Sequence, residues 1–261
     1  CDCMMKGFVK ARVWPLVLIG SFLMTGCVNN TSEKLTIATA ANMQFAMTEL
    51  IDAFEKEKGI SCEFIVASSG KLTSQIQEGA PYDLFISADM KYPTALYDKE
   101  LTDSSPRIFA YGNLVLWTIN EKLEPSIESL SLEEIDHIGM ANPKTAPYGQ
   151  AAVEVLNYHN LTERLEDKLV YGESISQTNQ FIISKAADIG FTAKSVVLSP
   201  QMKGKGQWVS ISSTLHSPIA QGVVVLKNRK SQIENARQFQ DFLLSERGKE
   251  ILVKFGYSIE D

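Results

Sequence analysis

The sequence predicts an α/β protein of two lobes, the first discontinuous, with a ligand cleft between them. Two observations carry that expectation. From residue 34 to residue 100, and again from about 135 to 192, short apolar strands alternate with amphipathic helices, the pattern of parallel sheets covered by helices. Two long extended runs, IFAYGNLVLWTI (Ile108–Ile119) and SPIAQGVVVLK (Ser217–Lys227), bracket the second set, and each is longer than an ordinary strand. Runs of that kind carry a chain out of one lobe and back again. The expected boundaries are residues 35–112 plus 221–261 for the first lobe and 113–220 for the second.

The elements follow in order. KLTIATA (Lys34–Ala40) is a strand. Met43 to Lys58 carries Met43, Ala46, Met47, Leu50, Ile51 and Phe54 on one face, a helix closed by Gly59. CEFIVA is the second strand and Lys71 to Glu78 a short helix with Leu72 and Ile76 inward. Asp83–Ser87 is the third strand, and Tyr92 to Glu100 a helix with Pro93 in its first turn. In the second set, IDHIGMA, KLVYG and ADIGFT read as strands, with helices from Gln150 to Asn157 and from Ile175 to Lys185. Two helices, Ile233–Leu244 and Arg247–Lys254, end the chain.

The first residues bear on compartment. Lys6, Lys10 and Arg12 form a basic segment before the apolar stretch Val13–Met24, which is short for a membrane span, and Thr25-Gly26-Cys27 follows. This resembles the lipobox of bacterial lipoproteins: residues 1–26 as signal peptide, Cys27 as the lipid-bearing residue and the rest of 27–34 as a tether. The resemblance implies an extracytoplasmic, membrane-anchored body. The net charge of −6 falls further once the basic signal is removed, a poor basis for binding nucleic acid. Any bound anion must then be held by local dipoles and not by a positive surface. Cys62, alone in its strand, reads as a buried small hydrophobe, so neither a disulfide framework nor a cysteine metal site is expected.

IVASSGKLT (Ile65–Thr73) has the look of a nucleotide-binding loop and fails as one. Ile65 stands where the first glycine belongs, and Leu72 where Ser or Thr would reach magnesium. What remains is a strand ending in small residues before a helix, where free N–H groups and the helix dipole favour an anion. Four such strand-to-helix junctions occur: Ala40-Ala41-Asn42, Ser68-Ser69-Gly70, NPKTAPYGQ (Asn142–Gln150) and YGESISQTN (Tyr171–Asn179). Open α/β sheets place ligands at such ends, and two junctions come from each lobe. Singly, Asn42 and Ser69 read as helix caps, Tyr148 as turn packing and Gly149 as a positive-φ position. Together they read as one site for a small anion. Lys71 reads as a solvated charge, and Asp83 and Asp89 as caps or turns.

The motifs TIATAANMQFAM, ASSGKLTSQI, GAPYDLFISAD, NPKTAPYG, ESISQTNQF and ADIGFT resemble, in order and spacing, the periplasmic molybdate-binding proteins of ABC importers, from about Leu35 to Ile259. The resemblance implies a type II periplasmic-binding-protein fold with mixed, mainly parallel sheets. It implies capture of molybdate or tungstate without counter-charge or cofactor, by a monomer that delivers the oxyanion to a permease and its ATPase. By position, it implies that Asn42, where many members have serine, and Ser69 supply polar ligands, and that Tyr148 and Ile175 supply backbone donors. Ala41, Ser68, Gly70, Gly149 and Ser176 are supporting candidates. The best-known members add a tyrosine hydroxyl after the last strand. Here Ala193 follows Gly190-Phe191-Thr192, and the Asn42 amide, or Tyr148, is the candidate replacement.

No enzyme is expected. His137, His159 and His216 are scattered, and no nucleophile elbow or metal-ligand spacing appears. The alternative cargo on the same fold is another oxyanion such as sulfate or phosphate. A phosphate that keeps a proton wants an acceptor, whereas the four junctions offer donors, which favours a fully ionised oxyanion.

Overall fold

The computed structural model describes residues 33–259; Cys27, the signal segment and most of the tether lie outside them. The first lobe begins with β1 (Leu35–Ala40), whose tail turns through a single 3₁₀ turn into α1 (Gln44–Lys58). Every apolar residue of the expected stripe on α1 is buried. The helix ends where Gly59 adopts φ +68° and returns its N–H to the Glu55 carbonyl. Then come β2 (Cys62–Ala67), α2 (Ser69–Gln77), β3 (Leu84–Ser87), α3 (Lys91–Asp98) and β4 (Arg107–Gly112).

The second lobe runs from β5 (Leu114–Thr118) through β6 (Ile138–Ala141), α4 (Pro147–Tyr158), α5 (Thr162–Leu165) and β7 (Leu169–Gly172). It continues with α6 (Ile175–Ile183), β8 (Ile189–Ala193), α7 (Lys194–Val197) and β9 (Gln207–Ser210). The chain then returns as β10 (Ile219–Val225), followed by α8 (Ile233–Leu244) and α9 (Glu246–Lys254).

Two five-stranded sheets result, ordered β2-β1-β3-β10-β4 and β7-β6-β8-β5-β9. In each, three strands are parallel and a crossing strand joins them antiparallel: β10 beside β3, and β5 beside β8. The long run at Ile108–Ile119 is therefore two strands, parted at Asn113, one in each sheet. Apolar periodicity cannot show that break, because buried apolar residues stand on both sides of it, Phe109 and Ala110 before and Leu114 to Trp117 after, and only their hydrogen-bond partners change.

Each sheet is covered on both faces. In the first lobe one core holds α1 and the C-terminal helices, where Phe54 meets Phe239 and Phe242 edge-on at 4.9 and 5.6 Å. The other face holds Leu72, Ile76 and Leu96 from α2 and α3. Each such side chain contributes about 1.5–3 kcal/mol on burial. Cys62 is buried, and desolvation, with the nearby Glu55, pushes its thiol up to about 12, so it is unreactive.

Asp83 differs from expectation. Asp83 is fully buried and accepts the Thr36 N–H at 2.7 Å and the Arg229 Nε at 2.7 Å, with a second contact to the same guanidinium. That carboxylate holds Arg229 above its ordinary pKa. It is an anchor between β1, β3 and the segment after β10, not a turn residue. Lys71 is an exposed charge, as expected, and it also pairs with Glu173 at 3.1 Å, across the two lobes. Asp89 does act as a cap, accepting the Tyr92 N–H at 3.3 Å in the first turn of α3.

Candidate functional site

All three parallel strands of the first sheet end at one place. After β1 come Ala41 and Asn42, after β2 come Ser68 and Ser69, and after β3 comes Ala88. From the second lobe, Ala146, Pro147 and Tyr148 follow β6, and Ile175 follows β7. These residues enclose a cavity of about 10 Å³. That is the scale of one water-sized sphere, so anything larger is seated there only if the lining shifts. Ala41, Asn42, Ser68, Ser69, Tyr148 and Ile175 are between 1 % and 4 % exposed.

Local sequence explains why N–H groups face this space. Ser69 is the first residue of α2, Tyr148 the second of α4 and Ile175 the first of α6. None of the three has an acceptor four residues back in its own helix, so each N–H points out of the helix end along the dipole. Pro147 at the first position of α4 has the φ that starts a helix and no N–H to waste. Its presence begins α4 three residues earlier than the apolar pattern suggests. Gly149 is glycine for a different reason than a turn: its φ is not positive, but a Cβ there would lie 2.1 Å from the Ala141 carbonyl oxygen. Close packing of α4 on β6 requires it. Ser174 caps α6, its hydroxyl accepting the Gln177 N–H.

The side chains divide into two groups. The Ser69 hydroxyl accepts the Ala88 N–H at 3.0 Å, which leaves its own hydrogen free to donate. The Asn42 amide is differently placed. Both its hydrogens are committed, to Gln221 Oε1 at 2.8 Å and to Tyr257 Oη at 2.9 Å. Asn42 therefore has no amide hydrogen left to donate into the cavity. Its carbonyl is held by Ser195 Oγ at 2.7 Å and by Tyr257 Oη at 3.1 Å. Gln221 completes the cluster by donating to the carbonyls of Ala88 and Ile219.

Tyr148 directs its ring away from the helix end. Its hydroxyl reaches this same cluster beside Asn42 and fills the space a Cβ on Gly112 would need. Burial pushes the phenols of Tyr148 and Tyr257 well up, so both are neutral donors. Ala193 is fully buried at the end of β8. Gly70 and Ser176 stand at the rim. The Gly70 N–H is given to the Thr145 carbonyl, and the Ser176 hydroxyl to Gln44.

Sequence reasoning missed Gln221, Tyr257, Ser195 and Ala88. Gln221 alone had a visible signal, as a single polar residue inside an apolar strand.

No basic side chain lines the cavity, and among the described residues no group of His, Cys, Asp and Glu could hold a metal ion. A larger depression of about 400 Å³ lies beside α6, lined by Gln44, Phe45, Glu173 and Gln180 among others. Exposed side chains, among them Glu173, Gln177 and Gln180, face it. The enclosed cavity is where fixed donors converge.

The family of bacterial extracellular solute-binding proteins matches residues 35–258. The chain belongs to this family. It is similar to the molybdate-binding protein ModA of Azotobacter vinelandii, at 34 % identity over 94 % of this chain and 97 % of that protein. It is also similar to a putative ABC transporter substrate-binding lipoprotein, YvgL, of Bacillus subtilis, at 29 % identity over 96 % of this chain and 100 % of that one. In three dimensions it matches the Azotobacter vinelandii periplasmic molybdate-binding protein with a TM-score of 0.83 at 30 % identity, covering 87 % of this chain and 100 % of that chain. The sulfate-binding protein SubI of Mycobacterium tuberculosis shares the fold at a TM-score of 0.71 and 12 % identity, covering 87 % of both chains. The two-lobed periplasmic-binding-protein architecture read from the sequence is thus the observed one.

Proposed function

We propose that this chain captures molybdate, and tungstate alike, outside the cytoplasm and delivers it to the permease and ATPase of an ABC importer. The observation that carries the reading is the convergence of helix starts from both lobes, with the Ser69 hydroxyl, on one buried cavity without charged lining. A buried dianion must regain a full shell of hydrogen bonds, because desolvating it without replacement is prohibitive. Backbone N–H groups supply such a shell at fixed distances and without a permanent counter-charge. In this reading Ser69 donates its hydroxyl and N–H, and the N–H groups of Asn42, Tyr148 and Ile175 complete the shell. Ala41 and Ser68 shape the wall.

Similarity to named molybdate-binding proteins over nearly the whole chain supports the same cargo. The protein acts as a monomer without cofactor or catalysis, held to the membrane by lipid on Cys27.

Calorimetric titration with molybdate, tungstate and sulfate in turn tests this. One-to-one binding of the first two, with sulfate at least about a hundredfold weaker, is expected on this reading. Preference for sulfate or phosphate would keep the fold and overturn the cargo.

A further inference from the structure

Gly70 is a glycine that its own lobe does not require. It lies second in α2, its φ is not positive, and a helix interior ordinarily favours alanine. What forbids a side chain is largely the other lobe: a Cβ would lie 3.0 Å from Thr145 Cα and 3.1 Å from its Cβ, as well as 2.9 Å from Tyr92 Oη. The Gly70 N–H also crosses the cleft, to the Thr145 carbonyl at 2.9 Å. Around it Tyr92 Oη donates to the Lys144 carbonyl at 3.2 Å, Lys71 pairs with Glu173, and Ser176 Oγ donates to Gln44 Oε1 at 2.7 Å. All four contacts join residues of one lobe to residues of the other.

We propose that Gly70 and Thr145 form a latch, seconded by Tyr92, Lys71 and Ser176, that holds the lobes closed and sets how fast bound ligand leaves. Gly70 is then a positioning residue for the binding function proposed above, acting through closure and not through contact with the ion. Its N–H lies at the helix start yet is spent on Thr145, which separates it from its neighbour Ser69. The exposed Lys71–Glu173 pair is the weakest part, since solvent screens it.

Gly70→Ala tests the latch, because the substitution favours helix α2 while crowding the closed interface. Stopped-flow molybdate release is expected to quicken about tenfold, at the low end of the cost of overpacking, with the association rate nearly unchanged. The Tm of the ligand-free protein stays level or rises. Tyr92→Phe, which removes one crossing bond without a clash, quickens release about two- to threefold. An unchanged release rate in Gly70→Ala, or a fall in its ligand-free Tm, overturns the proposal. Should the wild type bind no oxyanion, the functional reading fails separately. Small-angle scattering of the ligand-free proteins then decides the latch: a larger radius of gyration in Gly70→Ala supports it, and equal radii overturn it.

Discussion

The two ends of the first sheet handle buried polarity in opposite ways. At the end where β1 and β3 begin, Asp83 is buried and charged, and it is matched in place by Arg229 and the Thr36 N–H. At the end where the same strands finish, Asn42, Ser69 and Ala88 line a cavity whose donors are neutral. A resident charge needs a resident partner, or burial costs several kcal/mol. A site for a visiting dianion needs the reverse: many weak donors that are tolerable without the ligand and sufficient with it. An arginine at the cavity would hold the ion, but it would also draw a carboxylate or smaller anions when the ion is away.

Breaking the charged end gives the largest expected effect. Asp83→Ala leaves the Thr36 N–H unpartnered and strips Arg229 of its buried carboxylate, leaving it only Glu33, the Lys34 carbonyl and the Thr36 hydroxyl, and urea unfolding is expected to show a loss of about 3 kcal/mol. The oxyanion Kd of the protein that remains folded stays within about threefold, because the two ends share strands but no hydrogen bonds. A parallel fall in affinity would show that the ends are coupled.

At the neutral end the balance reverses. On the proposed reading Ser69→Ala removes a hydroxyl donor to the ion, so it is expected to weaken binding by about 1.5–3 kcal/mol, while unpairing Ala88 costs about 1 kcal/mol of stability. Titration and unfolding on one preparation separate the two numbers. Asn42→Ala comes next and sharpens the division within the site. Its amide bonds Gln221 and Tyr257, so stability drops by about 1–2 kcal/mol and affinity changes by less than the Ser69 variant's. A larger loss of affinity than in Ser69→Ala would make the amide a ligand after all.

The smallest effect is at Asp89, a half-buried carboxylate whose pKa is raised mainly by desolvation. Its folded pKa lies above the unfolded one, so the folded state binds the proton more tightly and the group's penalty is fully present above both values. Asp89→Asn keeps an acceptor for the Tyr92 N–H. The variant is therefore slightly more stable at neutral pH, and the gain fades as the pH falls through the raised pKa towards the ordinary carboxylate value. A gain that grew with acidity would contradict the assignment.

The same contrast explains what the sequence could disclose. Strands and long helices were legible because burial on one or both faces leaves a period in the residues, as on α1 from Met43 to Phe54. β9, with all four of its residues exposed, leaves none, and α5 and α7 are too short for a stripe. The cavity loops were legible because a strand that ends in small residues before a helix has a local signature. The cluster behind them was not, since Asn42, Ser195, Gln221 and Tyr257 are brought together from across the chain. Local reading took Asn42 as a helix cap and the family resemblance implied a ligand role for its amide, whereas the structure shows both amide hydrogens bonded to Gln221 and Tyr257.

The central claim is that neutral donors, and no cation, hold the ion. Molybdate affinity measured from about 20 mM to about 500 mM NaCl tests it most directly, a range over which the screening length falls severalfold. The chain is acidic, with net charge −6, so screening relieves repulsion of the dianion. The expected Kd is flat or slightly tighter as salt rises. A Kd that weakens tenfold or more would mean that a cation such as Lys71 is a ligand, and would contradict the account.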